Sequence, residues 1–216
     1  MKKWNKRQRI IAAAILFAIL VSLGTAVIVA VHHQKSTPSS GNQIINQYRK
    51  NLPELKKTAE AHQDDIDAQK NYAIALYASG DLKTAKTQYE AIAKTSPDAT
   101  TYNNLANIYR DLGQTNDAVY AYMKAIELDK TLVNSYANLA NVQLYTLKNP
   151  ADAMTTYQKG LAALPDNSQL EFLLGIAYEQ DGQTDKAQQT YEHILTYEPN
   201  NSGAKAGLIR VSETAK

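Results

Sequence analysis

Four alanines, Ala85, Ala118, Ala153 and Ala187, recur at intervals of 33, 35 and 34 residues, and a tyrosine follows each by four places, at Tyr89, Tyr122, Tyr157 and Tyr191. Residues four apart lie above one another on one face of a helix. The small one lets a neighbouring helix come close, and the aromatic fills the space beside it. Recurrence at this period means stacked copies of one supersecondary unit, none of which can bury its apolar flanks alone.

The rest of each unit follows the same register. Gly80, Gly113 and Gly182 mark turns between two short amphipathic stretches, and Pro97, Pro165 and Pro199 close three of the units, with Lys130 in that place in the second. The second unit has Tyr102, Leu105, Ala106 and Tyr109 before its turn and Ala118, Tyr122 and Ala125 after it. The first has Tyr72, Ala73, Leu76, Ala85 and Tyr89; the fourth has Leu174, Gly175, Tyr178, Ala187, Tyr191 and Pro199. The third keeps Tyr136, Leu139 and Ala140, puts Gln143 where a tyrosine belongs, and has one extra residue in its turn, TLKNPA.

This pattern resembles the tetratricopeptide repeat, W-x2-L-G-x2-Y then A-x3-F then P over about 34 residues. The resemblance implies an all-α chain: a right-handed α-solenoid of four helix-turn-helix repeats plus capping helices, which the apolar run described below would precede with one transmembrane helix. The repeats are expected at 66–98, 99–132, 133–167 and 168–201, with an N-terminal capping helix or half-repeat at 43–65 and a C-terminal capping helix at 202–216. Within 43–65, Ile44, Ile45, Tyr48, Leu52, Leu55 and Ala59 have helical spacing, but Pro53 suits the first turn of a second helix better than an interior.

The first 42 residues are of another kind. Residues 10–31, IIAAAILFAILVSLGTAVIVAV, carry no charge over 22 positions, a helix of about 33 Å against a hydrocarbon core of about 30 Å. Lys2, Lys3, Lys6, Arg7 and Arg9 precede the span, and only Lys35 follows closely, so the positive-inside rule puts a basic tail, 1–9, in the cytoplasm. The repeats would then stand outside the cytoplasmic membrane of a bacterial cell envelope, on a polar linker at 32–42. The competing reading is a signal peptide cleaved after Ala30. Its apolar stretch is longer than signal regions usually are, and Ile28 fits a small-residue cleavage site poorly.

Charge and composition narrow the function. The net charge of +2 splits into +5 before residue 32 and −3 after it, so the part expected to fold has no basic footprint for nucleic acid. With no Cys there are no disulfides, thiolate metal sites, Cys nucleophiles or lipidated Cys. His32, His33, His62 and His193 fall at unrelated places, and no metalloprotease, nucleophile-elbow or phosphate-loop motif occurs. Asp64 and Asp65 sit at a helix junction, where capping is their expected use. We expect no catalysis, cofactor or metal.

In the resembled family the first helices line a concave surface. The position before the signature leucine holds Asn71, Asn104, Asn138 and Leu173, and three residues on stand Ile74, Asn107, Asn141 and Ile176. One place before the first set come Lys70, Asn103, Ala137 and Phe172. An Asn offers a donor and an acceptor, so such a row can clasp successive peptide groups of an extended chain, like the asparagine ladder of some tetratricopeptide proteins. The candidate peptide-binding groove is therefore Lys70, Asn71, Asn103, Asn104, Asn107, Arg110, Asn138 and Asn141, with apolar pockets from Ile74, Tyr77, Tyr145, Phe172 and Ile176. The alternative is a purely structural role for the asparagines. The expected function is a membrane-anchored scaffold that binds a protein or peptide partner. A chaperone-like or translocon-associated subunit holding newly exported polypeptides, and self-association, are the other readings.

Overall fold

The computed structural model describes residues 40–214, with side chains from Gln43 to Glu213. The basic tail, the span expected over 10–31 and most of the linker lie outside the described residues. Among those described, no helix is long and apolar enough to cross a membrane.

Every regular element among the described residues is helical. The elements are α1 (Ser40–Ala61), α2 (Ile66–Ser79), α3 (Leu82–Thr95), α4 (Ala99–Asp111), α5 (Thr115–Leu128), α6 (Val133–Asn141), α7 (Pro150–Ala163), α8 (Ser168–Gln180), α9 (Thr184–Tyr197) and α10 (Ser202–Thr214), with a π-helical turn, Val142–Thr146, after α6. They form two compact units, one ending at Ala121 and the other starting at Tyr122.

In the first unit α1 packs on α2, α2 on α3 and α3 on α4. Its core is Ala73, Leu76, Ala85, Tyr89, Ile92, Leu105 and Ile108. Side-chain caps fix the starts of the helices. Asp65 accepts from the Asp67 and Ala68 N–H groups, Asp81 from Thr84, and Asp98 from Thr101. One expectation is corrected: Pro53 does not start a second helix but lies inside a continuous α1. A proline there removes a hydrogen bond and typically costs about 3 kcal/mol. The helix runs on because Ile45 and Ala59, on either side of Pro53, are buried, with Leu52 packed against the same core. That shared apolar face outweighs the local defect.

In the second unit α6 packs on α7, α7 on α8, α8 on α9 and α9 on α10, and α8 also meets α6 and α10. Tyr191 is held between two glycines. A Cβ added at Gly175 or Gly207 would come within 2.5 Å of its ring, so α8 and α10 close on the aromatic only because both lack side chains. The extra residue of the third repeat is absorbed by the π turn, in which the Leu147 N–H bonds the Val142 carbonyl five residues back.

Gly80, Gly113 and Gly182 take positive φ, 87°, 74° and 78°, to end the first helix of their repeats. In the third repeat Lys148 takes that part at φ 58°. A side chain in this region costs roughly 1–2 kcal/mol, and glycine's greater chain entropy gives part of that back. Lys148→Gly should therefore stabilise the protein by about 0.5–1 kcal/mol, read as a higher midpoint in thermal melting; an unchanged or lower midpoint would show that the backbone there is not strained.

Candidate functional site

The large side chains that these helices bury hardest are tyrosines: Tyr89, Tyr122, Tyr157 and Tyr191 are all at or below 2% exposure. A phenol so placed needs a hydrogen-bond partner for its hydroxyl. Asn104 Nδ2, on α4, donates to Tyr89 Oη at 3.1 Å. Tyr157 donates to Asn141 Oδ1 at 2.9 Å. Tyr191 donates to Glu179, whose carboxylate also holds Arg210 of α10 through two bonds at 2.6 and 3.1 Å. Burial raises the pKa of all three phenols, chiefly by desolvating the anion, so each stays a neutral donor or acceptor.

Two of the eight candidate groove residues are therefore partners of buried tyrosines. Three more are themselves buried: Asn103 at 3%, Asn107 at 1% and Asn138 at 2% exposure. The remaining three, all in the first unit, are half-buried and polar-paired. Lys70 Nζ lies 2.7 Å from Asp98 Oδ2. Asn71 Oδ1 accepts from Tyr48 Oη at 3.5 Å, the outer limit of a hydrogen bond. Arg110 bonds the neighbouring Asp111 at 2.9 Å, and Asp111 also accepts from Tyr77 at 2.5 Å. The structure thus brings Lys70, Asn71, Asn104 and Arg110 into one unit as accessible groups, with Asn103 and Asn107 beneath the surface of helix α4. Asn141 is half-buried on α6 of the second unit.

Of the expected apolar pockets, Ile176 is buried and Ile74, Tyr77, Tyr145 and Phe172 are half-buried. Tyr145 accepts from Gln180 Nε2 at 3.0 Å, and burial pushes its pKa up to about 12.

Sequence reasoning missed a second polar cluster. Glu171 of α8 is only 7% exposed, and its carboxylate accepts from Tyr197 Oη at 2.6 Å and lies 2.6 Å from His193 Nδ1, both on α9. The signal was available: Glu171 stands 16 residues before Ala187, the place that Tyr102 holds before Ala118. A carboxylate in an aromatic position needs donors close by, and two side chains of the next helix supply them.

Comparison with known proteins bears on the repeats that carry these residues. A TPR repeat family model matches residues 106–146 and a tetratricopeptide repeat model matches residues 144–208. Hsp70-Hsp90 organizing protein 2 of Arabidopsis thaliana is 38% identical over 81 residues, which is 38% of this chain and 14% of that protein. Cytochrome c-type biogenesis protein CycH of Bradyrhizobium diazoefficiens is 26% identical over 156 residues, 69% of this chain and 42% of its own. The chain thus spans less than half the length of either relative. Among solved structures, the C-terminal part of a TPR repeat-containing protein from Cytophaga hutchinsonii aligns with a TM-score of 0.68 at 18% identity, covering 77% of this chain and 66% of that one. YrrB, described as a TPR protein with an unusual peptide-binding site, aligns with a TM-score of 0.57 at 19% identity, covering 74% and 83%. At such identities the likeness is one of fold.

The Asn104–Tyr89 bond gives a direct test of the structural role. Asn104→Ala strands a buried hydroxyl and should destabilise by about 1–3 kcal/mol in denaturant unfolding, while the same change on a Tyr89→Phe background should cost clearly less. Equal losses on both backgrounds would mean that the bond contributes nothing.

Proposed function

We propose that this chain, whose tetratricopeptide repeats make up most of its described residues, is a protein-interaction scaffold that holds an extended segment of a partner against the first helices of its repeats. The carrying observation is Asn104. One of its N–H groups serves Tyr89, which leaves a second N–H and the carbonyl of a half-buried side chain for an incoming peptide group. Asn71 stands at the equivalent place one repeat earlier, and its bond to Tyr48 is long enough to yield to a better partner. Buried Asn103 and Asn107 lie beneath the surface of α4. In the second unit Asn138, the counterpart of Asn104, is buried, and the accessible amide is Asn141, three residues further on and tied to Tyr157.

The scaffold is tethered through residues 10–31, with residues 1–9 in the cytoplasm and the repeats outside. This rests on 22 uncharged residues preceded by five cations. A second reading, a subunit that holds newly exported polypeptides, uses the same groove but tolerates many sequences. It is favoured by recognition through amides, which are common to every peptide.

A photoreactive residue in place of Ile74 should capture a discrete partner in cells, whereas one at exposed Glu192 on α9 should not. Equal capture at both would sink the groove reading, and a broad smear of products at position 74 alone would move the function to the holding subunit. For the tether, protease added to spheroplasts should digest the repeats; a chain protected until the membrane is opened would overturn the orientation.

A further inference from the structure

The accessible face of α2 and α4 carries two cations, and each already faces a carboxylate of its own chain. Lys70 meets Asp98, the cap of α4, and Arg110 meets Asp111, the last residue of the same helix. Exposed ion pairs are weak and open easily, but these carboxylates are fastened by other bonds. Asp98 accepts from both the N–H and the hydroxyl of Thr101 at 2.8 Å. Burial pushes its pKa up, yet the bonds from Lys70 and Thr101 outweigh this and hold it below the ordinary value, so it is an anion at neutral pH. Asp111 is fastened by the Tyr77 hydroxyl. A ligand carboxylate reaching Lys70 would therefore meet a negative charge that cannot swing away.

Along α2 and α4, between these two closed ends, come Ile74 and Asn104, an aliphatic side chain and an amide; Asn71, about 100° around the helix from Lys70 and bonded to Tyr48 of α1, flanks them with a second amide. From Lys70 to Tyr77 is seven residues of helix, about 10 Å, and about three residues of extended chain cover that distance.

We propose that this strip of the first unit seats an internal, uncharged stretch of extended polypeptide, about three residues in its central contact, and gains nothing from a terminal carboxylate or an acidic side chain. The proposal rests on the groove reading above and names its ligand class. The matching of charge carries it: a surface neutralised pair by pair gives no electrostatic reward to an anion, and desolvating one there is costly.

The test uses a pooled octapeptide library made in two matched forms, with a C-terminal carboxylate or a C-terminal amide, passed over the immobilised full chain and read by mass spectrometry. The two forms should be recovered within about twofold of each other, with Asp- and Glu-containing sequences depleted. Asp98→Asn keeps a good helix cap but unpairs Lys70, so this variant should prefer the carboxylate form by about fivefold or more. A wild-type preference of about tenfold for the carboxylate form would overturn the proposal and leave the groove standing. An Asp98→Asn variant with wild-type selectivity and unchanged helicity would also overturn it, because the pairing would then not set the ligand class. Recovery of neither form by the wild-type chain would overturn the groove reading and this inference together.

Discussion

A hydroxyl buried in a helical core must be hydrogen-bonded, and this chain buries one at the same place in each of four repeats. The aromatic body of each tyrosine fills the space beside an alanine that is itself fully buried. Its polar end then dictates what stands opposite: Asn104 for Tyr89, Asn141 for Tyr157, and Glu179 with Arg210 for Tyr191. An unmet hydroxyl in such a setting costs on the order of 1–3 kcal/mol, a large share of the margin by which a domain is stable. Asn104 and Asn141 are thus first a structural consequence of choosing tyrosine over phenylalanine. Their capacity to bind is what remains after that need is met.

The same rule applies to charge. Glu171 is tolerated inside α8 because Tyr197 and His193 of α9 reach it, and Glu179 is tolerated because Arg210 and Tyr191 do. The second of these clusters attaches α10 to the preceding repeat by charge-assisted bonds, in addition to the glycine-lined contact around Tyr191. In the first unit the cations near the accessible asparagines are answered by fastened carboxylates. Polar side chains that look like ligands in a one-dimensional reading are largely engaged with each other.

Where the repeat grammar was regular, it could be read directly. Helices α2, α4, α6 and α8 begin at Ile66, Ala99, Val133 and Ser168, and glycine ends three of the four first-helix segments with positive φ. Where the grammar was broken, packing decided. Pro53 stays inside α1 because buried residues on both sides hold it there. The irregular third repeat keeps its register through a π turn and by forcing Lys148 into a conformation that glycine takes elsewhere. Neither outcome follows from local propensity, which disfavours both.

By itself, the sequence determined that the chain is made of helix pairs, where most of them turn, and which alanines and tyrosines are buried. Those properties follow from periodicity, and periodicity is a one-dimensional quantity. Only the tertiary structure decided which asparagines are reachable. Asn103, Asn104 and Asn107 share one helix and one residue type, yet two are buried and one is half-open. That difference depends on what packs over each position and on which hydroxyl or carboxylate arrives from a helix 15 or more residues away in the chain. Hydrogen-bond pairing at such separations is a property of three dimensions, and the function of the row depends on it.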